Sequence, residues 1–140
     1  IPKNSLENVS HRSVYLPIVR NLLPEFLRAF DFAEPSMIVG RRQETTVPSQ
    51  ALFLLNSPFV IEQASAMAEA LLAEGKSAPG TLVEKAYKRA LSRLPSAEEL
   101  SQAMEFYQIA SSDKGEQDSP EALAHLCHAL FASAEFRYLD

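Results

Sequence analysis

The amino-acid sequence predicts an all-α fold: a helical bundle of about four long helices with one or two short ones, an extended N-terminal segment and a long irregular loop. Apolar residues recur with a period near 3.6 through most of residues 58–132. Serine and proline stand at the positions where these helices begin. Apolar residues make up 46% of the 140 positions, which is enough for the packed core of a single domain.

The N-terminal segment is the least helical part of the chain. Residues 13–20 are rich in β-branched and aromatic side chains, but Pro17 lacks a backbone donor, so we expect a short edge strand or a buried extended segment. A short helix is expected at 24–30. The apolar run is too dense for a solvated segment and predicts a docking surface formed by Val14, Tyr15, Leu16, Ile18 and Val19.

A long irregular connection is expected at residues 31–48, and it carries a candidate binding clamp. Arg41 and Arg42 follow a glycine, and Thr45 comes shortly after them. Because paired arginines can hold carboxylates through parallel hydrogen bonds, these residues and Asn56 form a candidate clamp for an anion or a partner. The other interpretation is a polar network that fixes the loop onto the helices.

The four long helices follow this connection. Their expected ranges are about 58–73, 81–93, 97–111 and 120–132. The apolar stripe of the first helix includes Ile61, and that of the second extends to Leu94, with Arg93 on the solvent side. Ser96 and Glu99 form a capping box at the start of the third helix. Short polar connections between such helices favour antiparallel packing.

Histidine and cysteine chemistry is sparse in this sequence. His125 and His128 lie three residues apart on the fourth helix, but no nearby His or Cys supplies a third ligand, so no metal site is expected. Cys127 is the only cysteine and falls on the apolar stripe, where a thiol is inert. Since a c-type haem needs Cys-x-x-Cys-His, no cofactor is expected in this segment.

Other classes of active site find little support either. The four glycines never form a phosphate-binding loop, and no Gly-x-Ser-x-Gly motif is present. Asp31 and Glu34 could act as an acid–base pair, or they could form ion pairs with Arg41 and Arg42. A net charge of −5 argues against nucleic acid as a partner, and no apolar run approaches the roughly 18 residues of a membrane span.

Three stretches of the chain carry a family resemblance. They are HRSVYLPIVRN at 11–21, GRR at 40–42 followed by TTVPSQALFLLNSPFV at 45–60, and LCHALFASAEF at 126–136. Together they resemble the C-terminal domain of unknown function of large planctomycete-type secreted proteins. The resemblance implies an exported multidomain protein, periplasmic or extracellular, in which an upstream cytochrome-c-like domain carries haem.

These observations lead to one functional interpretation with two alternatives. The chain is expected to be a single helical domain, 1–140, the C-terminal part of a larger domain, with 1–48 irregular and 49–140 forming the bundle. It is interpreted as a non-catalytic scaffold or interaction module whose partners are other domains of the same polypeptide.

The isolated chain is expected to form a homodimer through the docking surface. The alternatives are part of a hydrolytic or redox-linked enzyme completed by upstream domains, and a docking module for an upstream haem domain.

Overall fold

The computed structural model describes residues 12–16, 18–19, 23–33, 38, 40, 48–75, 77–112 and 119–137. Seven α-helices lie within these ranges: α1 (Glu25–Ala29), α2 (Pro48–Asn56), α3 (Pro58–Ala73), α4 (Pro79–Leu91), α5 (Ala97–Ser112), α6 (Pro120–Ala132) and α7 (Ala134–Arg137). The described residues contain no strand, which confirms the predicted all-α class. The chain divides into two compact units, residues 1–53 and 54–140.

The described part of the first unit contains a tight turn where the sequence predicts an edge strand or a buried extended segment. Ser13–Tyr15 form a 3-10 turn, closed by hydrogen bonds from the Tyr15 amide to the Arg12 carbonyl and from the Leu16 amide to the Ser13 carbonyl. Leu16 itself is extended, with φ −76° and ψ 134°, as expected for a residue that precedes proline. The prediction of a continuous extended segment is therefore wrong for Ser13–Tyr15.

Helix α1 ends in a left-handed residue. Asp31 has φ 55°, a conformation that Asp tolerates better than most residues, and the Phe32 amide donates to the Leu27 carbonyl at 2.9 Å. The Phe30 ring contacts the Phe53 ring edge-on, with 5.9 Å between centroids. The ring contact holds the end of α1 against the middle of α2.

The second unit is built around one hydrophobic core. Helix α3 packs most extensively against α6, and α4 and α5 pack against α6 and against each other. The core includes the following fully buried or nearly buried side chains: Ala64, Met67, Ala68, Leu71, Leu82, Val83, Ala86, Tyr87, Ala103, Tyr107, Ala122, Leu123, Leu126, Cys127 and Leu130.

Proline and serine define where two of these helices begin. Pro58 is the first residue of α3, after Ser57, and Pro120 is the first residue of α6. The Ser119 hydroxyl accepts a hydrogen bond from the Ala122 amide, and this bond satisfies one amide that the helix leaves without a partner. The predicted start positions of these two helices are confirmed.

Two predicted core positions are wrong. Ile61 is 44% exposed, whereas its neighbour Val60 is buried, so the buried stripe of α3 is shifted by one residue at its start. Leu94 is 62% exposed, because α4 ends at Leu91 and Ser92 turns the chain through a left-handed conformation with φ 59°. After this turn Leu94 no longer continues the stripe of α4.

Candidate functional site

The predicted docking surface places apolar side chains in solvent. Val14 is 79% exposed and Tyr15 is 76% exposed. Ile18 is also exposed, and Val19 is half-buried. Leu16 differs from these residues: it is buried, with 9% of its surface exposed, next to the turn that exposes its two predecessors.

Most residues of the predicted loop clamp lie outside the residues that the structure describes. Arg41, Arg42 and Thr45 lie outside the described residues, as does Glu34. Asn56 is the last residue of α2 and is exposed. Asp31 is described, and its Oδ2 accepts a long hydrogen bond of 3.4 Å from Gln50 Nε2. The clamp therefore stays a prediction.

The histidines and the cysteine of α6 have separate surroundings. His125 is exposed, whereas Nε2 of His128 lies 2.9 Å from the carbonyl oxygen of Leu54. Cys127 is fully buried between them, and burial raises the pKa of its thiol to about 12. Among the residues that the structure describes, no three His, Cys, Asp or Glu side chains lie close enough together to hold a metal ion.

Arg93 is the centre of a cluster that the sequence did not reveal. It follows the left-handed turn at Ser92, and all five of its N–H groups donate hydrogen bonds. Nη1 and Nη2 bind the two oxygens of Glu99 at 2.8 and 2.7 Å. Nε and Nη2 bind the two oxygens of Glu135, both at 2.6 Å. Nη1 also donates to the Leu94 carbonyl at 3.0 Å.

The cluster is continuous with the capping box of α5. The Ser96 amide donates to Glu99 Oε2 at 2.7 Å, and the Glu99 amide donates to Ser96 Oγ at 3.2 Å, which confirms the predicted capping box. The guanidinium carbon of Arg93 also lies 5.7 Å from the centroid of the Tyr87 ring, in the range of a cation–π contact. One side chain thus joins the end of α4, the start of α5 and α7.

Electrostatics in this cluster follow from the hydrogen bonds. Those from Arg93, followed by the bond from the Ser96 amide, lower the pKa of Glu99 to about 2. The hydrogen bonds from Arg93 also lower the pKa of Glu135, while the two carboxylates raise the pKa of Arg93. Burial raises the pKa of Tyr87, and the charge on Glu99 raises it further. Glu99, Glu135 and Arg93 are therefore ionised at neutral pH, with two negative charges against one positive charge, whereas Tyr87 is neutral.

A second ion-pair group joins α3 to α4. Glu74, just after α3, binds Nζ of Lys85 at 3.1 Å and Nη2 of Arg89 at 2.7 Å. Lys85 also donates to Ser77 Oγ at 3.3 Å. The hydrogen bond from Lys85 is the largest cause of the lowered pKa of Glu74. This group links two consecutive helices, whereas the Arg93 cluster also reaches α7, and both groups lie at the surface of the second unit.

A sequence signal exists for only part of the Arg93 cluster. Ser96 and Glu99 have the spacing of a capping box, and Arg93 stands three residues before that serine. Helical periodicity instead predicts Arg93 as a solvated residue near the end of α4. Glu135 is 42 positions away from Arg93, and no local pattern marks it as a partner.

The fold and these surfaces define an all-α domain whose ion pairs connect its helices. The chain belongs to PSD1, a family described as protein of unknown function (DUF1553), whose model matches residues 2–107. The match includes the stretches at 11–21 and 40–60 and ends before the stretch at 126–136. No curated protein and no solved structure matches the chain. In the described part of the chain, none of the helices has the length and apolar character that a membrane crossing requires.

Proposed function

We propose that this chain is a non-catalytic scaffold or interaction module at the C-terminus of a large exported multidomain protein. Its partners are other domains of the same polypeptide, and the helical bundle provides the rigid support. Haem, where the longer protein carries it, belongs to an upstream domain and not to this segment. The observation that carries the proposal is the exposure of Val14 and Tyr15, side by side in the N-terminal turn.

The argument from these two side chains is energetic. Burying a large apolar side chain contributes about 1.5–3 kcal/mol, so two exposed neighbours are a favourable contact for a partner. Tyrosine suits such a contact because its ring offers apolar area and its hydroxyl can stay hydrated. The 3-10 turn holds Val14 and Tyr15 in a defined backbone conformation, so that less chain entropy is lost on binding.

The ion pairs between helices of the second unit support the scaffold interpretation. The carboxylates of Glu74, Glu99 and Glu135 have lowered pKa values because each is bound to a basic side chain that joins helices. Such pairs position helices instead of exchanging protons with a substrate. Cys127, with its raised pKa and full burial, is a poor nucleophile.

The test compares self-association of the isolated chain with that of surface variants. Light scattering after size exclusion and binding of a hydrophobic dye are measured for the wild type, Val14→Lys and Tyr15→Lys. Ile109→Lys is the matched control, because Ile109 is a similarly exposed apolar residue on α5. We expect the wild type to dimerise or bind dye, and both N-terminal variants to lose this behaviour while the control keeps it.

Two results would contradict the proposal. One is a wild-type monomer that binds no dye, and the other is an equal loss of association in Ile109→Lys. Leu16→Lys is not used, because Leu16 is buried and a lysine there would destabilise the fold instead of changing the surface.

A further inference from the structure

The short helix α7 packs against α6 and α4. Ser133, with φ −66° and ψ 154°, is the single extended residue that separates it from α6. The Ser133 hydroxyl donates to the Leu130 carbonyl at 2.7 Å and accepts from the Phe136 amide at 3.2 Å. Ser133 therefore acts as a defined joint and as the cap of α7.

Beyond this joint, Glu135 and Phe136 of α7 both contact the rest of the second unit. The Glu135 carboxylate is bound by Nε and Nη2 of Arg93, and the Phe136 ring lies 5.0 Å from the Phe131 ring, centroid to centroid. Phe131 packs on the hydrophobic core of the second unit. Helix α7 has four residues, too few to be stable alone, so its position depends on contacts with the rest of the second unit, including these two.

The N–H groups of Arg93 donate to two carboxylates, and each of its three nitrogen atoms has defined partners. Nε donates to Glu135, whereas Nη1 donates to Glu99 and Leu94, and Nη2 donates to both carboxylates. The Glu99 bonds fix the guanidinium to the start of α5 whether or not Glu135 is bound. The Arg93 guanidinium is therefore already oriented to bind the Glu135 carboxylate.

We propose that α7 is a C-terminal strap that closes on the α4–α5 turn through the Arg93–Glu135 pair and opens about Ser133. Both partners are partly exposed, with 38% of the Arg93 side chain and 46% of the Glu135 side chain accessible to solvent. Salt therefore screens the attraction and favours the open strap. Opening separates Phe136 from Phe131 and uncovers the edge of the core, while α3–α6 stay folded.

The experiment follows the strap by NMR in the full chain. The exchange rate of the Arg93 Nε proton reports on Glu135, because Nε donates to that residue. The Phe136 amide and the contacts between the Phe131 and Phe136 rings report on α7 itself. The variants are Glu135→Gln and the matched control Glu99→Gln, which changes the other carboxylate bound to the same guanidinium.

In Glu135→Gln we expect exchange of the Arg93 Nε proton and the Phe136 amide to be roughly two- to fivefold faster, with unchanged amides in α3 and α6. In 1 M salt the wild type should show the same change, and Glu135→Gln should show little further change. Glu99→Gln should leave the ring contact intact. Unaltered α7 signals in Glu135→Gln would overturn the proposal, and so would a change that spreads equally through α3 and α6.

Discussion

The Nε2 atom of His128 lies 2.9 Å from the carbonyl oxygen of Leu54, although the two residues are 74 positions apart in the chain. A carbonyl oxygen only accepts hydrogen bonds, so His128 donates from Nε2. Leu54 lies in the last turn of α2, where helix carbonyls have no partner within the helix. His128 therefore serves as a cap supplied by a distant helix.

We expect His128→Ala to lower the free energy of unfolding by about 1–2 kcal/mol, because the carbonyl of the buried Leu54 loses its donor. His125→Ala is the matched control, since His125 is exposed on the same helix. Urea denaturation followed by circular dichroism measures both variants. Equal stability of the two variants would show that the contact with Leu54 contributes nothing.

Arg93→Lys should lower the melting temperature more than Arg89→Lys. Lysine has three donors on one nitrogen and cannot bind both oxygens of two carboxylates at once, as the Arg93 guanidinium does. Arg89 binds Glu74 through Nη2, a contact that a lysine can replace. Thermal unfolding at low and high salt gives the comparison, and a larger effect at Arg89 would contradict the structure.

Stability should fall as the pH decreases, and Glu99 should account for part of the fall. Its pKa is about 2 in the folded chain, below its ordinary value of 4.5, so its ionised form favours the folded state. Its contribution is complete above about pH 5 and is lost as the pH falls toward about 2. The free energy of unfolding, measured by urea denaturation across this range, should change less steeply in Glu99→Gln.

Glu98→Gln provides the control for this pH experiment, because Glu98 binds Gln102 on the same helix and not Arg93. The remaining slope in Glu99→Gln comes partly from Glu74 and Glu135, whose pKa values are also lowered. Identical slopes for the wild type and Glu99→Gln would mean that the Arg93–Glu99 bond does not persist in solution.

Leu126→Asp should unfold the second unit, because it places an unpaired charge at a side chain that is buried in the core. Leu126→Ala should leave the chain folded but less stable by about 2–5 kcal/mol. Ala129→Asp is the control on the exposed side of the same helix and should change stability little. Circular dichroism distinguishes these outcomes, and a folded Leu126→Asp variant would contradict the packing of α6.

Cys127 should not react with thiol reagents in the native chain. It is fully buried, and its pKa of about 12 leaves almost no thiolate at neutral pH. A colorimetric thiol assay should therefore show labelling only after denaturant is added. Rapid labelling under native conditions would mean that α6 opens far more often than its packing suggests.

Sequence patterns located the helices well where the relevant contacts are local. The starts of α3 and α6 follow from Ser-Pro pairs, and the start of α5 follows from Ser96 and Glu99, because capping involves residues within one turn. The buried stripe of α6 also follows directly from its period, with Leu123, Leu126 and Leu130 all in the core.

The errors occur where periodicity alone leaves a choice. Val60 and Ile61 are adjacent β-branched residues, and only the tertiary structure determines that Val60 is the buried one. Periodicity extends the stripe of α4 to Leu94, because the residue type at Ser92 does not indicate the left-handed conformation that ends the helix there. Likewise, periodicity does not distinguish the buried Leu16 from the exposed Tyr15 that precedes it.

By itself the sequence determined the all-α class, the starts of α3, α5 and α6, and the burial of Cys127, because these depend on composition, on period and on contacts within a helical turn. The tertiary structure decided which side chains meet across the fold. Arg93 finds Glu135 and His128 finds Leu54 because helix packing brings together residues separated by 42 and 74 positions. Such pairs require loop closure between distant parts of the chain, which no local pattern encodes.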